Sequence, residues 1–171
     1  MNQSTWTQLN TSIDAQGRTT QNVYDLDTGG HTAYIYDVGS QYNWVSIETI
    51  YDSSFRKGQE IYHNDSRTHN SYVYDVAGQY TWNAVETVFD TNFLKTQELY
   101  HVDDGTLVSF LTDTYNQNAW TSIETDFNVA GRKFQEIYNN DSGTHNVYTY
   151  DPATGAIVTA HLFDSNWILI A

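Results

Sequence analysis

Bulky and polar side chains alternate along this chain in short bursts, and clusters of Asp, Asn, Ser and Gly separate the bursts. Alternation of period two is the mark of a β-strand, because successive side chains leave a pleated backbone on opposite faces. No segment sustains a 3.6-residue apolar pattern, so helices are expected to be few. The stretch from Trp44 to Val76 predicts three strands, at about 44–52, 58–64 and 69–76, with a turn at Ser53-Ser54-Phe55-Arg56. The alternation predicts two faces, one with Ile47, Tyr51, Ile61 and Val73, the other with Trp44, Glu48, Glu60, Tyr62, Tyr72 and Tyr74. Both are bulky.

The same pattern returns every 38 residues, in copies 3–40, 41–78, 79–116 and 117–154. Trp recurs at 6, 44, 82 and 120, and Tyr at 24, 62, 100 and 138. Asp recurs at 27, 65, 103 and 141, and again at 37, 75, 113 and 151. Residues 155–171 begin a fifth copy: Phe163-Asp164-Ser165-Asn166-Trp167 echoes Phe89-Asp90-Thr91-Asn92-Phe93 after a two-residue deletion, then runs into Ile168-Leu169-Ile170-Ala171. A period of this size means stacked supersecondary units. Asp followed two residues later by Gly, at 27–29, 103–105 and 141–143, suits a type I turn closed by a residue of positive φ. The expected fold is therefore all-β, one repeat domain over 1–171. It is an antiparallel meander of about three strands per copy and about fourteen in all, coiled as a solenoid or a flattened barrel. A β-trefoil wants three copies, and four-stranded propeller blades fit 38 residues poorly.

Composition narrows the partners. Aromatics make up 15% of the chain, with 14 Tyr and 5 Trp, and Pro occurs once, which is strand composition. The formal charge of −14 repels phosphate backbones and anionic lipid, so nucleic acid is not an expected partner. No apolar run approaches a membrane span, so membrane insertion is not expected. With no Cys, disulfides and thiolate metal sites are excluded. The polar start, Met1 to Asn10, does not predict a cleavable signal peptide.

The string Trp-x-x-Ile-Glu-Thr-x-Tyr/Phe-Asp, then Gly-Arg, then Gln-Glu-Ile-Tyr-x-Asn-Asp-Ser-Gly-Thr-His, then Tyr-x-Tyr-Asp, is best developed from Trp120 to Asp151. It resembles the Trp/Tyr-Asp repeats of secreted bacterial proteins, distantly similar to YD (RHS-type) repeats and found in large proteins labelled haemolysin-type or calcium-binding. The resemblance spans almost the whole chain. It implies one-step (type I) export with an uncleaved C-terminal signal, and a secreted or cell-surface location. The Gly-Gly-x-Gly-x-Asp nonapeptides of calcium-binding β-rolls are absent, so calcium is not implied by the label.

Candidate chemistry follows the repeat. Glu48 with Glu60, Glu86 with Glu98 and Glu124 with Glu136 could pair as acid and base, but enzymes concentrate perturbed groups at one asymmetric site. A non-enzyme is expected. Asp65, Asp103 and Asp141 are candidate ligands for Ca²⁺, the one cofactor the sequence leaves open, against the alternative that they cap their own turns. His31, His69 and His145 occur once per copy without a local His partner, which supports zinc weakly. Stacked copies would turn each position into a ladder, with Tyr62, Tyr100 and Tyr138, joined by Tyr72 and Tyr74, as platforms for a glycan. Glu60, Glu98 and Glu136 would be its hydrogen-bond acceptors. The expected function is an extracellular, adhesive, carbohydrate-binding or structural module. Self-association into a homo-oligomer or fibre, as a filament or surface layer, is one alternative, and a calcium-binding spacer is another.

Overall fold

The computed structural model describes residues 6–171; Gln3, where the first copy opens, lies outside the described residues. Thirteen strands and no helix occur among them. The first copy supplies β1 (Trp6–Ile13), β2 (Thr19–Leu26) and β3 (His31–Tyr36), and the second β4 (Trp44–Tyr51), β5 (Lys57–Asn64) and β6 (His69–Tyr74). The third supplies β7 (Trp82–Phe89), β8 (Lys95–Val102) and β9 (Leu107–Thr112). The fourth supplies β10 (Trp120–Phe127), β11 (Lys133–Asn140) and β12 (His145–Tyr150), and the shortened fifth β13 (Ile157–Phe163). Three strands per copy is the expected number, and the echo at Phe163–Trp167 folds as the turn it resembles.

The strand order follows the sequence from β1 to β13. The sheet is open, and this corrects the flattened barrel. Ile168–Ala171 folds back on the last strand: Ile170 N donates to Leu162 O at 2.9 Å, and Leu162 N to Ala171 O at 2.7 Å. Contacts group the chain into two compact units, one reaching Gln79 and including Val88–Phe93, the other Tyr80–Thr87 with Leu94–Ala171. Within each unit a strand touches only the strands beside it, so neither has a second layer. No side chain among the described residues is fully buried. The most covered are small residues at strand centres, such as Ala33, Thr49, Ser71 and Ser109, over which larger neighbours lean. Cross-strand side-chain pairs, each worth about 0.2–1 kcal/mol, replace the two-layer core of a sandwich.

Residues opposite each other across an antiparallel pair share a face, so the register locates every side chain. Tyr24 lies opposite Leu9 and Thr32, and Asn22 opposite Tyr34. Tyr34 in turn lies opposite Glu48, and Glu48 opposite Ile61. Ile47, by contrast, lies opposite Ile35 and Tyr62. The tyrosines of the first copy thus share a face with Glu48 and Ile61 of the second, while Tyr62 and Tyr72 occupy the other face. The second unit repeats this within itself: Phe110 lies opposite Glu124, but Tyr138 lies opposite Ile123.

Equivalent residues of the first and second copies, and of the third and fourth, therefore do not form a ladder on one face, and the ladder expectation is corrected. The reason is geometric. An odd number of strands reverses the strand direction of the next copy, while the stacking direction continues. A rigid rotation that reverses one in-plane axis and keeps the other must invert the sheet normal. Within each unit the later copy is turned over relative to the one before it.

The expected faces also change in detail. Glu48 joins Ile61 and Val73, and Ile47 joins Glu60, Tyr62 and Tyr72. Trp44 does lie with Tyr62, because a bulge between Trp44 and Ser46 inserts Val45 and shifts the Trp by one residue. The same irregularity follows Trp6 and Trp120.

Candidate functional site

Each copy gathers its Trp and Tyr rings on one side of its strand triplet. Tyr24 and Tyr34 meet edge to face at 5.9 Å, Tyr62 and Tyr72 at 5.6 Å, Tyr100 and Phe110 at 5.7 Å, and Tyr138 and Tyr148 at 5.8 Å. Trp6 closes on Tyr24 at 5.8 Å and Trp82 on Tyr100 at 6.5 Å. These are favourable quadrupole geometries, and they hold the rings upright so that grooves remain between them. A groove of about 380 Å³ is lined by Trp6, Tyr24, Tyr34, Tyr36 and Glu48. One of about 280 Å³ is lined by Trp44, Tyr62, Tyr72, Asn43, Asn64 and Asn70, and one of about 350 Å³ by Tyr138, Tyr148, Tyr150 and Asn146. Tyr42 and Tyr80 lie flat on Trp44 and Trp82, at 4.8 and 4.7 Å.

The expected platform residues Tyr62, Tyr72 and Tyr138 line these grooves; Tyr74 lies beside them and is occupied otherwise. Its hydroxyl donates to Glu60 at 2.9 Å, as Tyr150 donates to Glu136 at 2.7 Å. Burial and the Glu136 bond push the Tyr150 phenol well up. Lys57, Lys95 and Lys133 donate to Glu60, Glu98 and Glu136 at 2.9, 2.9 and 3.2 Å. These three carboxylates therefore already accept bonds within the chain. The register adds a fourth such acceptor, Glu48, which the second copy contributes to the groove of the first and which accepts from Tyr34 there. Burial, then the Glu48 hydrogen bond, pushes the Tyr34 phenol up to about 12.

The expected carboxylate pairs do not form in the second and fourth copies. Glu48 lies opposite Ile61 while Glu60 lies opposite Thr49, and Glu124 lies opposite Ile137 while Glu136 lies opposite Thr125. Each pair points to opposite faces. Burial raises the Glu124 carboxyl, with the nearby Asp126 adding to it, and burial raises Asp126 as well. Asp65, Asp103 and Asp141 each stand in their own turn, their amides donating to Asn43, Thr81 and Ala119 carbonyls at 3.1, 3.0 and 3.1 Å. Among the described residues no three of His, Asp and Glu gather as a metal cluster.

The turns hold a second recurring arrangement. Asp52 Oδ1 accepts the amides of Ser54 and Arg56 at 2.8 and 3.0 Å, and Oδ2 accepts Arg56 Nε at 2.8 Å. The amide of Arg56 first, then that of Ser54 and the guanidinium, hold the carboxyl below its ordinary range. Arg56 then reaches the Val76 carbonyl at 2.9 Å. Asp14 with Arg18 builds the same clasp, and Asn128 with Arg132 builds it without the acid. The residue closing this turn has positive φ: Gly17, Phe55, Phe93, Gly131 and Trp167. A bulky residue there is strained by about 1–2 kcal/mol. Each of the three aromatics stacks on a histidine of the preceding hairpin: Phe55 on His31 at 3.9 Å, Phe93 on His69 and Trp167 on His145 at 4.1 Å. Where the histidine position holds Leu107, the turn holds Gly131.

Each stacked imidazole has a cross-strand partner. His31 Nδ1 meets Asp25 at 2.8 Å, His145 Nδ1 meets Asn139 at 2.8 Å, and His69 Nδ1 meets His63 Nδ1 at 3.0 Å. Burial, then the neighbouring His63, lowers the His69 imidazole. The sequence spacing of once-per-copy histidines hid His63, because it is opposite His69 across a hairpin and six residues away in sequence.

Against known proteins, no family model matches the chain, and no curated protein does.

Proposed function

We propose that this chain is a non-enzymatic, secreted β-repeat module that binds carbohydrate in its Trp/Tyr grooves. The observation that carries the reading is the recurrence of one groove type in three copies, with aromatic walls and Asn or Glu at the rim. Aromatic faces pack against the C–H faces of sugars, and side-chain amides and carboxylates exchange hydrogen bonds with hydroxyls. The acidic surface disfavours polyanions, so a neutral glycan is the fitting class. The secreted location rests on the resemblance to Trp/Tyr-Asp repeats of exported proteins.

Because the grooves of the first two copies open on opposite faces, two glycans are held back to back. Such a module cross-links ligands on its two sides instead of gripping one chain through several equal sites. The full chain is expected to give saturable binding on a neutral-glycan array. Tyr72→Ala should weaken binding at the second copy's groove about tenfold, the effect of removing about 1.4 kcal/mol of ring contact, read as one fewer tight site per chain. No saturable binding, or binding indifferent to both Tyr24→Ala and Tyr72→Ala, would remove the reading.

A second reading, self-association, is favoured by a local observation. Ile157 and Val158 at the start of β13, and Ile168, Leu169 and Ile170 folded against its end, are all more than half exposed. Ile168→Ser with Ile170→Ser should then shift a concentration-dependent sedimentation profile toward monomer.

A further inference from the structure

We infer that His63 and His69 form a binding site for one Cu²⁺ ion, a role distinct from the glycan grooves. The two residues lie directly opposite across the β5–β6 hairpin, and their Nδ1 atoms face each other at 3.0 Å. They line a cavity of about 240 Å³ with Gln59, Ser71, Phe89 and Phe93. Imidazole is the side chain that suits Cu, Ni and Zn ions.

The two nitrogens are close enough to share one ion: with metal–nitrogen bonds of about 2.0–2.1 Å, two ligands of one ion lie about 3 Å apart once the ion replaces the shared proton. Cu²⁺ heads the affinity order of divalent ions at nitrogen ligands, and its tetragonal geometry offers adjacent positions for two imidazoles and for water. Water fills the remaining positions, with Gln59 and Ser71 as neighbouring polar groups; these two already share a bond of 2.9 Å.

The rings are also held in place. Phe93, at φ 62°, lies against the His69 ring at 4.1 Å with an interplanar angle of 18°, which fixes the imidazole plane. The chain supplies its own controls. The equivalent pairs elsewhere are Asp25 with His31, His101 with Leu107, and Asn139 with His145, so among the described residues only the second copy sets two imidazoles opposite each other, edge to face at 5.1 Å. Asn opposite His and Leu opposite His are therefore both accommodated by the fold.

The test is a titration of CuCl₂ into the full chain, with glycine as a weak competitor, read by calorimetry and electron paramagnetic resonance. One ion per chain is expected, with hyperfine coupling to two nitrogens. His63→Asn, which copies Asn139–His145, should keep the metal-free melting temperature and lose the second nitrogen. Its affinity should fall about tenfold or more, since losing a ligand costs at least as much as losing a second-sphere partner. His69→Leu, which copies His101–Leu107, should do the same if His63→Asn is poorly folded. Binding of equal strength in wild type and both variants, or copper spread evenly over several histidines, would leave the opposed Nδ1 atoms as a hydrogen bond only and overturn the site.

Discussion

The turn at Asp52–Arg56 and the turn at Asn128–Arg132 occupy the same place in their copies and differ in three linked residues. The first has an acid in its clasp, Phe55 at positive φ, and His31 for Phe55 to stack upon. The second has Asn128, Gly131 at φ 70°, and Leu107 in the histidine's place. Both hold their Arg against a carbonyl 20 residues on, Val76 in one and Pro152 in the other. Clasp geometry is thus common to both, and strain is present only where a ring stack offsets it. Glycine suits the second turn because no imidazole is there to compensate a side chain.

The largest expected effect comes from forcing the first arrangement onto the second. Gly131→Phe should destabilise by about 1–2 kcal/mol, the left-handed penalty, since open space surrounds its Cβ position and leaves no clash to add. Thermal unfolding should show a fall of about 2–4 °C per kcal/mol for a chain of this length. Adding Leu107→His should return about 0.5–1.5 kcal/mol of that loss, read as the coupling term of a double-mutant cycle. Purely additive effects would mean the stack contributes nothing.

Smaller still is Phe55→Gly, in which relieved strain and lost stacking oppose each other. A change within about 1 kcal/mol by urea denaturation is expected. The smallest effect is electrostatic. Folding holds Asp52 below its ordinary value of 3.8, so the unfolded chain binds the extra proton between the two values. The clasp's contribution is present above that ordinary value and is lost as pH falls through the folded one. Asp52→Asn should lower neutral-pH stability by that contribution, match wild type in acid and so flatten the acid limb of an unfolding curve. An unaltered limb would assign acid sensitivity to the other turn acids, Asp14, Asp37, Asp113 and Asp151, which bonded backbone amides also hold low.

The strand triplet was legible because its signals are local: alternation from Trp44 to Tyr74, and Asp-x-Gly at turns where Gly29, Gly105 and Gly143 do adopt positive φ. What joins strands was less legible. A bulge at Val45 changes parity without changing composition, so Trp44 and Glu48 read as one face and lie on two. The turning-over of copies was available in principle from the count of three, since an odd triplet reverses direction. Reading each recurrence as a ladder passed over that constraint. The Tyr62 and Tyr138 grooves were legible as aromatic recurrence. The engagement of Glu60 by Lys57 and Tyr74 was not, because it depends on register across two strand pairs. Nor were the facing histidines, whose relation is set by a hairpin.

Alternation of faces between the first and second copies is what sends their aromatic grooves to opposite sides of their sheet. It can be measured through side-chain proton contacts in the first two copies by NMR. Ring protons of Tyr34 should show nuclear Overhauser contacts to Glu48, and those of Tyr62 to Ile47. Contacts from the Tyr34 ring to Ile47 instead would put both tyrosine clusters on one face, and copies would then stack without turning over.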